Sequence, residues 1–188
     1  TYDPKRNISM QIVADGPENF EEILHGGFIK MILAAERRVW LQSPYLIPDD
    51  TMINALLIAV RSGIDVRIMI PSMPDHPFIY RATQYYANYL TKRGVKVYLY
   101  QEGFIHAKTV IMDDTIARFG TTNQDIRSYS LNFEVSAFVY NRDVVDTLAG
   151  HFEDDMTRCI LLTNEMIADQ SYWLRFKQSF SRLLSPIL

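Results

Sequence analysis

The sequence predicts an α/β fold: a mixed, mostly parallel sheet flanked by helices on both faces. Short apolar, β-prone runs recur along the chain, segments with apolar residues near 3.6-residue spacing lie between them, and Gly or Pro punctuates the joins. Strand–helix alternation of this kind packs helices against a sheet. In order, Ile8–Ala14 is a predicted strand, ended by the turn Asp15-Gly16-Pro17. Glu18–Glu36 is a predicted helix, with Phe20, Ile23, Leu24, Phe28, Met31 and Ile32 on one stripe and an interruption at His25-Gly26-Gly27. Val39–Gln42 is a buried strand stopped by Ser43-Pro44-Tyr45-Leu46-Ile47-Pro48. Thr51–Ser62 is a helix that Asp49 or Asp50 caps and Gly63 ends.

Ile64–Ile70 is a further strand, Pro71–Pro77 a loop, Phe78–Arg93 a Tyr-rich helix ended by Gly94, and Val95–Tyr100 a strand. The rhythm then changes. Ile105–Asp113 and Ile116–Phe119 are predicted strands around the turn Asp113-Asp114-Thr115, and Leu131–Tyr140 is another strand. Helices follow at Val144–Thr157 and Tyr172–Leu184. No repeat or linker divides the chain, so residues 1–188 are expected to form a single domain.

Composition narrows the function. Apolar residues make up 48% and charged residues 22%, which excludes a disordered chain. One cysteine, Cys159, excludes an internal disulfide and suggests a buried, inert thiol. The net charge of −3 argues against a nucleic-acid partner. No run reaches the ~18 apolar residues of a membrane span, and the polar start, without methionine, fits a piece of a longer protein.

The chemistry concentrates after residue 104. On a strand, His106 and Lys108 share a face, about 7 Å apart. An imidazole there serves as nucleophile or proton carrier, and an ammonium offsets charge on phosphoryl oxygens. Asp113 is an odd number of residues from both, so it is expected on the other face, supporting the hairpin. Gly120-Thr121-Thr122-Asn123 reads as a flexible turn lined with neutral donors suited to phosphate. Glu134 lies on the polar face of its strand, where a carboxylate can fix a histidine's tautomer. Each feature alone is commonplace; their joint spacing is not.

His106-x-Lys108, four residues, Asp113, six residues, then Gly120-Thr121-x-Asn123 resembles the HKD motif of the phospholipase D superfamily. Gln11–Pro17, Gln42–Pro48, Gly63–Ile68, Asp75-His76, Asn123-x-Asp125-x-Arg127-Ser128 and Leu131-Asn132-Phe133-Glu134 resemble the second half of bacterial cardiolipin synthases. The tail Arg182–Leu188 resembles that family's C-terminus. The resemblance implies a phosphatidyltransferase that joins two phosphatidylglycerols into cardiolipin and releases glycerol, without metal or other cofactor, through a phosphohistidine. His106 is then the acid/base partner, Glu134 its orienting carboxylate, and Lys108, Thr121 and Asn123 phosphoryl ligands. Tyr45 lines the pocket. Asp113 and Gly120 are structural.

The family uses two such motifs, and this chain has one. His25, His76 and His151 lack a lysine two residues on. The second histidine is therefore expected from an N-terminal half or from another copy of the chain. The resemblance implies a phospholipid substrate and a membrane surface as partners, with the full-length protein at the bacterial cytoplasmic membrane and this fragment soluble and inactive alone. Two rival readings stay open: a homodimeric one-motif phosphodiesterase, of phospholipase or nuclease type, and a non-catalytic lipid-binding half. Tyr80, Tyr85, Tyr86 and Tyr89 fit packing better than a lipid groove. The last helix, with Trp173, Phe176, Phe180, Leu183 and Leu184 among Arg175, Lys177 and Arg182, fits docking on the core somewhat better than an interfacial helix.

Overall fold

Alternate side chains along the central strands are buried in opposite directions, and this sets the layers. The structure, a computed structural model, describes residues 7–19 and 21–184. Phe20, the first six residues and residues 185–188, including the end of the tail discussed above, lie outside the described residues. On β2 (Arg38–Gln42), Val39 and Leu41 join one apolar cluster and Trp40 the other. On β4 (Asp65–Pro71), Val66, Ile68 and Ile70 face the first cluster and Met69 the second. β6 (Thr109–Met112) repeats the pattern, with Val110 and Met112 against Ile111.

The first cluster is covered by α1 (Ile23–Ala34), α2 (Asp50–Arg61) and α3 (Pro77–Thr91). The second is covered by α5 (Arg142–Met156), through Val145, Ala149 and Phe152. Helices thus flank both faces, as expected. The capping residue of α2 is Asp49, whose Oδ1 accepts the Met52 N–H at 2.9 Å.

The remaining strands are β1 (Met10–Asp15), β5 (Lys96–Tyr100), β7 (Ile116–Gly120), β9 (Glu134–Val139) and β10 (Cys159–Leu161). The sheet runs β1-β9-β7-β6-β2-β4-β5-β10. It is mixed, but the expectation of a mostly parallel sheet is corrected. Only β2–β4 and β4–β5 pair in parallel, and the other five pairings are antiparallel. The physical reason lies in the connections: helical crossovers join β2, β4 and β5, whereas a tight turn joins β6 to β7 and forces them antiparallel.

Other boundaries move as well. His25-Gly26-Gly27 does not interrupt α1. It lies inside the helix, where a Cβ on Gly27 would come within 2.9 Å of Phe138. Two elements escaped periodicity because they are too short to show any: β3 (Leu46–Ile47) and β8 (Gln124–Asp125), which pair in parallel. α4 (Ile126–Ser130) and α6 (Asn164–Ala168) are single turns or little more. α7 (Tyr172–Leu183) closes the described chain.

Asp113 sits in the β6–β7 turn with φ 51°, a left-handed conformation that Asp tolerates better than most residues. Its carboxyl accepts three backbone N–H groups across the sheet, from Glu36 at 3.0 Å, Arg37 at 2.8 Å and Arg38 at 2.9 Å. Burial pushes this carboxyl up, but the three donors and Arg37 outweigh burial and hold it below the usual carboxylate range. Asp113→Ala is expected to cost about 3 kcal/mol of stability in urea denaturation, because it orphans these donors. A loss under about 1 kcal/mol would mean that water serves them equally well. The sign in pH follows from the lowered native pKa. This contribution is full above about pH 4, where the unfolded carboxyl is ionised, and fades as pH falls through the native value.

Candidate active site

At the end of the sheet where the parallel strands finish, the chain leaves regular structure before β6 begins. Residues 101–108 form no strand, so the expectation of a strand from Ile105 is corrected, and with it the strand-face argument for His106 and Lys108. The two side chains nevertheless line one open pocket of about 730 Å³. The end of β7 supplies Gly120 and Thr121, the start of β9 supplies Glu134, and Leu131, Asn132 and Phe133 form the rim. Gln42, the last residue of β2, pairs with Thr109, the first of β6, which puts the pocket at the carboxyl end of the parallel strands. Ligands in α/β sheets favour this end.

Gly120 is the last residue of β7 and not part of a flexible turn. A Cβ there would lie 2.2 Å from the Val135 carbonyl oxygen and 2.7 Å from Ser136 Cα. Only glycine permits β7 and β9 to approach so closely. Thr121 continues the contact: its N–H donates to Val135 O at 2.9 Å, and its Oγ1 accepts the Val135 N–H at 3.0 Å. The Thr121 hydroxyl donates to the Glu134 carboxyl. Thr122 is buried, and its hydroxyl faces Ser136 Oγ at 3.2 Å.

The implied pairing of Glu134 with His106 does not occur in this arrangement. Glu134 is held by Thr121 and by Asn132 Nδ2, at 3.4 Å, both from its own rim of the pocket. The imidazole instead stands 5.9 Å from the ring of Phe104, which is 6.2 Å from that of Tyr45. Tyr45 donates its hydroxyl to Asp75. Tyr45 therefore reaches His106 through Phe104 and does not line the pocket itself. Asn123 also lies outside the pocket lining. Its side chain hydrogen-bonds Asp125, and its Oδ1 is buried without a partner among the described residues.

The electrostatics favour a neutral imidazole. Burial lowers the His106 pKa, Lys108 lowers it further, and Asp75 opposes both, with a net shift downward. For Lys108, burial lowers the ammonium pKa; Glu134 and Asp125 pull it up, Arg118 pushes it down, and the net shift is downward. Lys108 Nζ donates to the His106 carbonyl at 3.0 Å, leaving two further donors for a phosphoryl group. These signs predict that Lys108→Met raises the His106 pKa and Asp75→Asn lowers it. An NMR titration of the imidazole protons checks both, and shifts of the opposite sign would break this account.

Sequence reasoning missed one supporting residue entirely. Arg118, central in β7, is fully buried. Its guanidinium donates to Ser136 Oγ at 2.6 and 3.0 Å, to Thr122 O at 3.1 Å and to Lys108 O at 3.4 Å, and lies 4.2 Å from the centre of the Phe28 ring. Burial pushes it down to about 9, with Tyr129 and Glu134 opposing, so it stays charged at neutral pH. Its only sequence signal was an arginine inside an otherwise apolar strand. Asp75 and Asp125 were within reach of the motif but had no assigned role. Asp125 is buried and caps α4 by accepting the Ser128 N–H at 2.7 Å. Burial raises its pKa against the Ser128 and Asn123 hydrogen bonds, and Glu134 adds to the rise.

Cys159 is half-buried, its thiol pushed up to about 11 by burial and Asp155. Among the described residues, no group of three or more His, Cys, Asp or Glu is arranged to hold a metal ion. No helix among them is long and apolar enough to cross a membrane.

Solved structures define the class. A phospholipase D family member, Nuc from Salmonella typhimurium, matches with TM-score 0.69 and 20% identity, over 84% of this chain and 100% of its own. Phosphatidylserine synthase from Haemophilus influenzae matches with TM-score 0.76 and 14% identity, over 97% of this chain and 48% of its own. At these identities the likeness is one of fold: the chain has a phospholipase-D-like α/β fold. Residues 28–156 match the family model described as "Cardiolipin synthase, PLD-like domain", and the chain belongs to that family. Cardiolipin synthase of Listeria monocytogenes and the major cardiolipin synthase of Bacillus subtilis are each 50% identical to it over its whole length. The chain spans 39% of the length of either relative.

Proposed function

We propose that residues 1–188 are a single phospholipase-D-like domain that supplies one half of the active site of a membrane phosphatidyltransferase. The reaction joins two phosphatidylglycerols into cardiolipin and glycerol. The observation that carries this reading is the pocket that holds His106, Lys108, Thr121 and Glu134 with a single histidine. Double displacement at phosphorus needs a nucleophile and a separate proton carrier. A second histidine, from the remainder of a longer protein or from another copy, faces His106 across the open side of the pocket.

In this reading, the other histidine attacks phosphorus and the bond to the leaving glycerol oxygen breaks. His106 gives that oxygen its proton. The hydroxyl of the second phosphatidylglycerol then loses its proton to His106 and displaces the phosphohistidine. Lys108 offsets charge on the phosphoryl oxygens. Glu134 is the nearby carboxyl that turns to the imidazole once substrate fills the pocket, and the Asn123 amide turns from Asp125 to a phosphoryl oxygen. Thr121 holds Glu134 until then. Leu131 and Phe133, exposed at the rim, meet the lipid's apolar part.

The test supplies the rest of a family member, beyond the 39% of its length that this chain spans, together with this chain and measures cardiolipin and glycerol formed from phosphatidylglycerol. Equimolar products that depend on both parts support the reading. Robust transfer by this chain as a proven monomer refutes the half-site. A stable dimer that hydrolyses phosphodiesters favours the one-motif enzyme instead.

A further inference from the structure

Helix α7 is amphipathic, but it is mounted inside out. The side chains it buries are polar: Gln178 and Ser181, each 2% exposed. Gln178 accepts from Asn88 of α3 at 3.1 Å, and Arg182 donates to the Tyr85 hydroxyl at 3.1 Å. Leu174 is half-buried on the same side, but the aromatic side chains and Leu183 point away. Trp173 is 64% exposed, and Tyr172, Phe176, Phe180 and Leu183 are exposed with it. The rings form a stacked ribbon, Trp173 to Phe176 at 5.5 Å and Phe176 to Phe180 at 6.4 Å. At about 100° per residue, this stripe lies opposite the docked face. The sequence-based preference for α7 docking on the core holds only for its polar side.

Charge identifies what the stripe meets. α7 carries Arg175, Lys177 and Arg182 and no acidic residue, within a chain of net charge −3. Lys177 Nζ lies 5.2 Å from the Trp173 ring centre. Beside the stripe, between α3 and α7, a cleft of about 350 Å³ is lined by Lys92, Arg93 and Arg175 and, among the described residues, by no acidic side chain. Gln178 also lines it, and its Nε2 is buried without a partner among the described residues. Arg175 and Ser179 fall between the docked and apolar sides of the helix, so the cleft opens along the edge of the stripe. Aromatic residues flanked by cations, without acids, suit the boundary between acyl chains and anionic headgroups. A protein partner's buried core would instead deplete lysine.

We infer that α7 is a membrane-docking element: its aromatic stripe enters the interface of an anionic bilayer, and the Lys92–Arg93–Arg175 cleft takes a phospholipid phosphate. This does not depend on the chemistry proposed for His106.

The test uses this chain with vesicles of phosphatidylglycerol and phosphatidylcholine, and with phosphatidylcholine alone. The chain sediments with the anionic vesicles. Trp173 emission shifts to the blue and is quenched by brominated acyl chains, while Trp40, buried, stays constant. Phe176→Ser/Phe180→Ser, at exposed positions, leaves thermal unfolding unchanged and weakens binding by about tenfold or more. Lys92→Glu/Arg93→Glu removes the preference for phosphatidylglycerol. His106→Ala binds as the parent does, so failure of the catalytic reading and failure of this one are separately visible. The inference is overturned if the chain stays in the supernatant or if the double serine variant binds undiminished. It is equally overturned if the stripe drives self-association in place of vesicle binding, or if Trp173 is already shielded from vesicles in the completed, longer protein.

Discussion

His106→Ala is expected to lower cardiolipin formation by the completed enzyme by about 10³-fold or more, with little change in binding of the first lipid. The size follows from the proton traffic. General acid–base catalysis contributes about 10²–10⁴-fold, and no other described histidine lines this pocket. The lowered His106 pKa favours the neutral imidazole, the form that takes the proton of the incoming alcohol; the anionic phosphodiester, once bound, favours the protonated form that the first step needs. A leaving-group test separates the two histidine roles. A p-nitrophenyl phosphodiester expels an anion that needs no proton, so the variant's first step should recover to within about tenfold of the parent. If the defect stays full with that substrate, His106 is the nucleophile and the assignment of roles reverses. If His106→Ala and Lys108→Ala both make cardiolipin at the parent rate, the site is wrongly placed.

Arg118→Ala is expected to lower stability by about 3 kcal/mol or more. The fully buried guanidinium fills the space beside Phe28 and satisfies Ser136, Thr122 and Lys108. Truncation leaves a cavity and unpaired carbonyls together. Arg118→Met separates packing from polarity: it restores most of the volume and removes a buried charge that no carboxylate bonds. Met is therefore expected to regain the packing part of the loss but not the polar part, to stay about 1–2 kcal/mol below the parent, and to lose activity, because the carbonyls of Lys108 and Thr122 lose their tether. Urea denaturation reads the first quantity and turnover the second. An alanine variant within about 1 kcal/mol of the parent would show that the pocket floor does not rest on Arg118.

The alternation of strand and helix was legible because it is a local property. β2, β4, β5, α2, α3 and α5 fall within a few residues of their expected places, each marked by periodicity and all but α5 by a Gly, Pro or capping Asp. The motif was legible because its spacing is a linear record. What one strand–helix count could not carry was direction. Five of the seven pairings in the large sheet are antiparallel: β7 folds back on β6 through a tight turn, while β1 and β10 join from distant parts of the chain. β3 and β8 exist only through each other.

By itself, the sequence determined the fold class and the family and named the candidate reactive side chains, since residue type and spacing are written along the chain. It also named Asp113 as a residue apart from the pocket, and that residue now anchors three amides. Tertiary structure alone decided how those side chains meet. His106 and Lys108 share a pocket without sharing a strand; Glu134 rests on Thr121; Arg118 underpins Lys108; α7 turns its aromatic side outward. The reason is physical. Which groups touch, and which side of a helix is covered, depends on contacts between residues far apart in sequence, and burial is a property of the packed whole.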